Sequence, residues 1–174
     1  MSTDAFALFR RFRHDLLNDL QIVSGHVQLR RTHEVLRQDV QAVIDRILEV
    51  SQIFTCRNDQ LAVALWGWVE QARDRGVSVS LDLCELRGEV SSFCLEFADQ
   101  LVALLLPEIE KLADEEHWLH LRLDATAPLL QITTPLIPVE ALLAAQPGLS
   151  EVLQAGDDEE LQFSIRISHC TPDQ

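Results

Sequence analysis

Apolar residues recur every three or four positions through the first 54 residues of the chain. Phe9, Phe12, Leu16, Leu20, Val23 and Val27 form one such series. Leu36, Val40, Val43, Ile47, Val50 and Phe54 form the next. At 3.6 residues per turn, each series is one stripe of a helix. Ser2, Thr3 or Asp4 can cap the first helix, which should run to about Arg30. Thr32 and His33 make a tight turn, and Thr32 can cap the second helix. The first 56 residues therefore predict an antiparallel helical hairpin. Two helices bury too little alone, so each stripe needs another surface. A second copy of the hairpin would supply it as a two-fold, four-helix bundle. The alternative cover is the chain's own C-terminal part.

The texture changes after Arg57-Asn58-Asp59. Leu61 to Arg75 reads as a helix with Leu65, Trp68, Val69 and Ala72 inward, ended by Gly76. Val77, Val79, Leu81 and Leu83 alternate with polar residues, which predicts a strand. Ser91 or Ser92 opens a further helix toward Ala113, and Pro107 inside it should kink or split it. Leu119 to Leu123, Leu130 to Ile132 and Leu161 to Ile167 read as strands. Ala125 to Pro128 is a turn, and Pro138 to Ala145 a short helix. Helices on one face of such a sheet give a two-layer α/β domain. The fold class is thus α+β, with a hairpin at 1–56 and an α/β domain at 57–174.

Charge sharpens this division. Residues 1–57 hold eight Arg against seven Asp/Glu, or +1, and residues 58–174 hold six Lys/Arg against 21 Asp/Glu, or −15. The acidic part argues against a nucleic-acid partner. Arg10, Arg11 and Arg13 could draw a phosphate or an acidic partner pocket, or be ordinary solvated helix surface. No run of 18 apolar residues exists, so no membrane span is expected. The N-terminus lacks the apolar core of a signal peptide. Cys56, Cys84, Cys94 and Cys170 show no C-x-x-C spacing and read as free thiols of a cytoplasmic protein.

The candidate chemistry lies on the first helix. His14, Asn18, Gln21 and Gly25, at spacings of four, three and four, line the side opposite the apolar stripe. Asp15 follows His14 directly. A histidine offered outward beside an acid suits a nucleophile presented to another protein. A lone exposed histidine is usually mere surface, but helical periodicity requires none of the polar identities in H-D-x-x-N-x-L-Q-x-x-x-G-x-x-Q-L. That word, residues 14 to 29, resembles the H-box of the sporulation initiation phosphotransferase B family. It is also similar to the H-box of the citrate- and fumarate-sensing histidine kinases. The resemblance implies that His14 is the phosphorylated histidine, with Asp15 its following acid and Asn18 the family's asparagine. Gln21 and Gly25 fall on the same pattern, on the face expected to dock a partner. His26 departs from it, standing where the family usually has an apolar residue.

The order of elements after residue 57 is similar to the ATP-binding domain of histidine kinases with its chemistry removed. The stretch that would carry the magnesium-binding asparagine reads Leu104-Leu105-Leu106-Pro107-Glu108-Ile109-Glu110. No D-x-G-x-G follows Thr133-Thr134, and the six glycines form no phosphate cradle. The resemblance implies a relay in which His14 takes a phosphoryl group from one response regulator and passes it to another in sporulation initiation. No cofactor is expected on this chain, and Mg2+ is expected in the partner receiver domain. The expected partners are receiver domains and a second copy of the chain. A non-catalytic dimeric regulator that binds a receiver or a kinase is the alternative. His14 and His26 lie about 18 Å apart along the helix, too far to share a metal ion within one chain.

Overall fold

The computed structural model describes residues 5–86, 89–124, 128–145, 147–155 and 160–167. The expected caps at Ser2 to Asp4 and most of the turn at 125–128 lie outside the described residues.

Helices α1 (Ala5–Gln28) and α2 (His33–Ile53) form the antiparallel hairpin. Helix α1 ends two residues earlier than its periodicity suggests. Arg30 takes a left-handed backbone at φ 53°, and its amide bonds Val27 O while Arg31 N bonds His26 O. These paired bonds close the helix in the manner usually given to glycine. Thr32 sits at the cap of α2, but its side chain makes no capping bond. Two polar side-chain contacts, one of them an ion pair, tie the helices together along one edge. Arg46 Nη1 lies 2.5 Å from Asp19 Oδ2, and His26 Nδ1 lies 2.5 Å from Asp39 Oδ2.

A short 3₁₀ turn at Phe54–Cys56 leads into α3 (Asp59–Asp74), which Asn58 caps by accepting from Leu61 N at 3.0 Å. Gly76, at φ 71°, closes α3 as its position after the helix suggests. Strand β1 (Ser78–Asp82) follows, then α4 (Ser92–Ile109), β2 (Trp118–Asp124), β3 (Leu129–Pro135), α5 (Val139–Ala145), β4 (Leu153–Ala155) and β5 (Glu160–Arg166). The strands make one sheet in the order β1-β2-β3-β5-β4. Strand β1 runs parallel to β2 and the other pairs are antiparallel.

The inward residues of the sheet alternate as period-two burial requires. Leu119, Leu121, Leu130, Ile132, Phe163 and Ile165 join one core with Leu61, Leu65 and Trp68 of α3 and Leu101, Leu105 and Ile109 of α4. Helix α4 is not split at Pro107, and it stops at Ile109, short of Ala113. The missing amide falls in the last turn, and burial of Leu105, Leu106 and Ile109 holds that turn. The three-residue strand β4 carries too short a pattern to stand out from its neighbours.

Aromatic contacts join the hairpin to this domain at the hairpin's open end. Phe12 packs edge-on against Trp66 of α3 at 5.7 Å, and Phe54 does so at 6.1 Å. Leu8, Phe12 and Val50 border the domain core. Farther along, Leu17, Leu20, Ile22, Val27, Val40, Ile44, Ile47 and Leu48 are all exposed. The chain's own domain therefore borders one end of the hairpin; beyond it Val43 is buried and Leu16, Val23 and Leu36 are half-buried, while Leu20, Val27, Val40 and Ile47 of the two stripes stay exposed.

Candidate functional site

His14 projects from the middle of α1 with 74% of its side chain exposed. Both residues singled out beside it reach the same ring nitrogen. Asp15 Oδ1 lies 3.4 Å from Nδ1, and Asn18 Nδ2 lies 3.2 Å from it. The spacing explains this, because Asn18 stands one turn along and Asp15 leans in from the adjacent position. Among the described residues, none bonds Nε2, the outward atom of a largely exposed side chain whose Nδ1 is held by its own helix.

This arrangement bears on the tautomer. A carboxylate can only accept, so the Asp15 contact requires a proton on Nδ1. The lone pair then lies on Nε2, the outward atom. The Asn18 amide serves the same tautomer when turned over, with Oδ1 accepting from Nδ1–H. The site can therefore present a neutral imidazole as a nucleophile to a docked electrophile.

The docking candidates divide. Arg10, Arg13 and Gln21 are exposed on α1. Gly25 lies on the His14 flank, and a Cβ built there meets nothing within 4 Å. Arg11 does not point away from the chain as a free docking cation. Its guanidinium forks onto Asp74 of α3, with Nη1 2.8 Å from Oδ2, and its Nε lies 3.4 Å from Glu70 Oε2. It also stands 3.9 Å from Asp15 Oδ2, one turn along its own helix. The hydrogen bond to Asp74 holds Arg11 more firmly protonated, and the same bond pulls the Asp74 carboxyl below its ordinary value.

A run of charge continues behind this pair. Arg73 binds both Glu70 and Glu49, joining α3 to α2. Glu70 is buried, and burial also pushes the Glu49 carboxyl up despite the pull of Arg73. Sequence reasoning found none of these partners for Arg11. They lie 59 and 63 residues away, and no local pattern signals an ion pair at that separation.

A histidine-bearing hairpin with an attached α/β domain is thus the class of protein that the fold and site define. Residues 2–56 match the family described as the sensor kinase SpoOB-type, alpha-helical domain. That match covers the hairpin, agrees with the resemblance of its H-box, and relates residues 2–56 to the helical domain of sensor kinases of this type. No curated protein matches the chain. No helix among the described residues is long and apolar enough to cross a membrane.

Proposed function

We propose that the chain is a phosphorelay phosphotransferase that carries a phosphoryl group on His14 between response regulators, in a sporulation-type relay. The observation that carries this reading is the outward Nε2 of His14, with Asp15 and Asn18 gathered at Nδ1. Nε2 attacks the phosphorus of an aspartyl phosphate on the first receiver, the P–O bond to that aspartate breaks, and the carboxylate leaves. The carboxylate of a second receiver then attacks the phosphohistidine, and the P–N bond breaks. Such transfers run through a loose, in-line transition state, so catalysis is mostly positioning and charge neutralisation. The receiver would bring Mg2+, and this chain an accessible imidazole, its orienting groups and a docking face around Arg10, Arg13, Gln21 and Gly25.

In this reading residues 1–56 form the phosphotransfer and dimerisation unit, and 57–174 a companion domain without nucleotide chemistry. The exposed apolar residues of α1 and α2 support a four-helix bundle made by two copies, with two outward His14 side chains. The test is transfer of label from a phosphorylated receiver domain. The wild-type chain should take up acid-labile, base-stable phosphate and give it to a second receiver. His14→Gln should do neither, while keeping its fold, since a change at so exposed a position usually costs under about 0.5 kcal/mol. Full relay by His14→Gln would overturn the proposal and favour a non-catalytic regulator.

A further inference from the structure

We infer that Asp74 on α3, with Glu70 beside it, positions His14 through Arg11 and Asp15. The inference rests on the reading of His14 as the phosphoryl carrier and gives the companion domain a part in that chemistry.

Arg11 and Asp15 are four residues apart on one helix, the spacing at which opposite charges pair directly. They do not do so closely here. The forked end of the guanidinium is taken by Asp74 across the domain boundary, and Nε lies nearer Glu70 than Asp15, at 3.4 Å against 3.9 Å. Glu70 is itself buried and shared with Arg73, which is anchored in turn on Glu49 of α2. Arg11 is thereby drawn toward α3. Asp15 keeps one oxygen toward Arg11 and turns the other to His14 Nδ1. Were Asp74 neutral, Arg11 would be freer to close on Asp15 and draw its carboxylate off the imidazole. The acceptor that holds the proton on Nδ1, and so leaves the lone pair on Nε2, would be weakened. Asp74 and Glu70 touch neither the imidazole nor the incoming phosphoryl group, so their part is positioning.

The consequence has a sign that packing alone does not give. Asp74→Asn should release Arg11 toward Asp15, whereas Arg11→Gln should leave Asp15 to His14 alone. The experiment uses the full chain with 15N-labelled histidine, read at alkaline pH where the imidazoles are neutral. The His14 signals are identified by their absence in His14→Gln. In Asp74→Asn the ring nitrogen shifts should move toward the tautomer with the proton on Nε2, and receiver-to-His14 transfer should slow by about two- to fivefold, as expected of one partly exposed ion pair. Arg11→Gln should hold the proton on Nδ1. The double variant Arg11→Gln/Asp74→Asn should match Arg11→Gln, because Asp74 acts only through Arg11. Nitrogen shifts of His14 that stay fixed in Asp74→Asn, or a double variant that matches Asp74→Asn, would overturn the inference while transfer by wild type still stands. A wild type that takes no phosphate would overturn the carrier role instead, whatever the nitrogen shifts do.

Discussion

His14 and Asn18 stand one helical turn apart on α1, with the terminal amide of Asn18 3.2 Å from His14 Nδ1. The ring is held at its inner nitrogen while the outer one is left to react. Asn18→Ala should therefore keep the acceptor atom but loosen the ring. Loss of one orienting hydrogen bond, worth about 1–1.5 kcal/mol, corresponds to roughly tenfold slower transfer. The check is the rate of phosphate uptake from a labelled receiver, with circular dichroism showing an unchanged helix content. A rate equal to wild type would mean that Asp15 alone sets the ring.

The two kinds of pattern in this chain were legible to different degrees. The hairpin could be read almost residue by residue, because two uninterrupted stripes with period 3.6 need no knowledge of the rest of the chain. His14, Asp15 and Asn18 could be read together for the same reason, since one turn of one helix brings them into contact. The partners of Arg11 could not be read. Its charge and its position beside the histidine suggested docking, while its partners Glu70 and Asp74 arrive from a distant helix. Helix α4 shows the same limit, as buried Leu105, Leu106 and Ile109 outweigh the local preference of Pro107. Strand β4 exists through its pairing with β5, Gln154 opposite Gln162, and not through a pattern of its own.

Gly25 separates docking from stability. Glycine inside a helix costs about 1 kcal/mol relative to alanine, and among the described residues no neighbouring element stands where its Cβ would be. Gly25→Ala should thus raise the stability of the isolated chain by up to about 1 kcal/mol, read from the urea midpoint. If a receiver packs closely on the His14 flank, the same variant should transfer phosphate more slowly, with the loss in receiver affinity. A variant both more stable and fully active would place the receiver elsewhere on α1.

Glu49 and Asp74 should oppose each other as pH changes. Burial raises the Glu49 carboxyl above its ordinary 4.5, with Arg73 only partly offsetting it. A carboxyl that titrates higher when folded favours folding while protonated. That contribution is complete below 4.5 and is lost as pH rises through the higher folded value. Asp74 is held below its ordinary 3.8 by Arg11, so its contribution is present above 3.8 and is lost as pH falls through the lower folded value. Glu49→Gln should therefore gain on wild type between about pH 4 and about pH 7. Asp74→Asn should lose on wild type below that window, as pH rises from about 2 to about 4, and change little above it. Urea midpoints at about pH 2, 4 and 7 measure both, and variants that keep pace with wild type at all three would show that the ion pairs between α2, α1 and α3 do not govern the acid response.

Leu20 tests the assembly. It lies on the part of the α1 stripe that the companion domain leaves bare, and it is 49% exposed in the single chain. An aspartate there would cost the isolated chain little, because half of the site already meets water. In a bundle of two hairpins the same position would be closed by the partner, where an unpaired charge costs several kcal/mol. Leu20→Asp should thus dissociate the protein without unfolding it. Light scattering should give about twice the chain mass of 19.7 kDa for wild type and the single-chain mass for the variant, with matching helix content in both. The bare residues of α2, Val40, Ile44 and Ile47, should respond in the same way, since a four-helix bundle draws on both stripes. A wild-type chain that stays monomeric at micromolar concentration would leave these stripes for a different protein to cover, and the two-fold bundle would have to be abandoned.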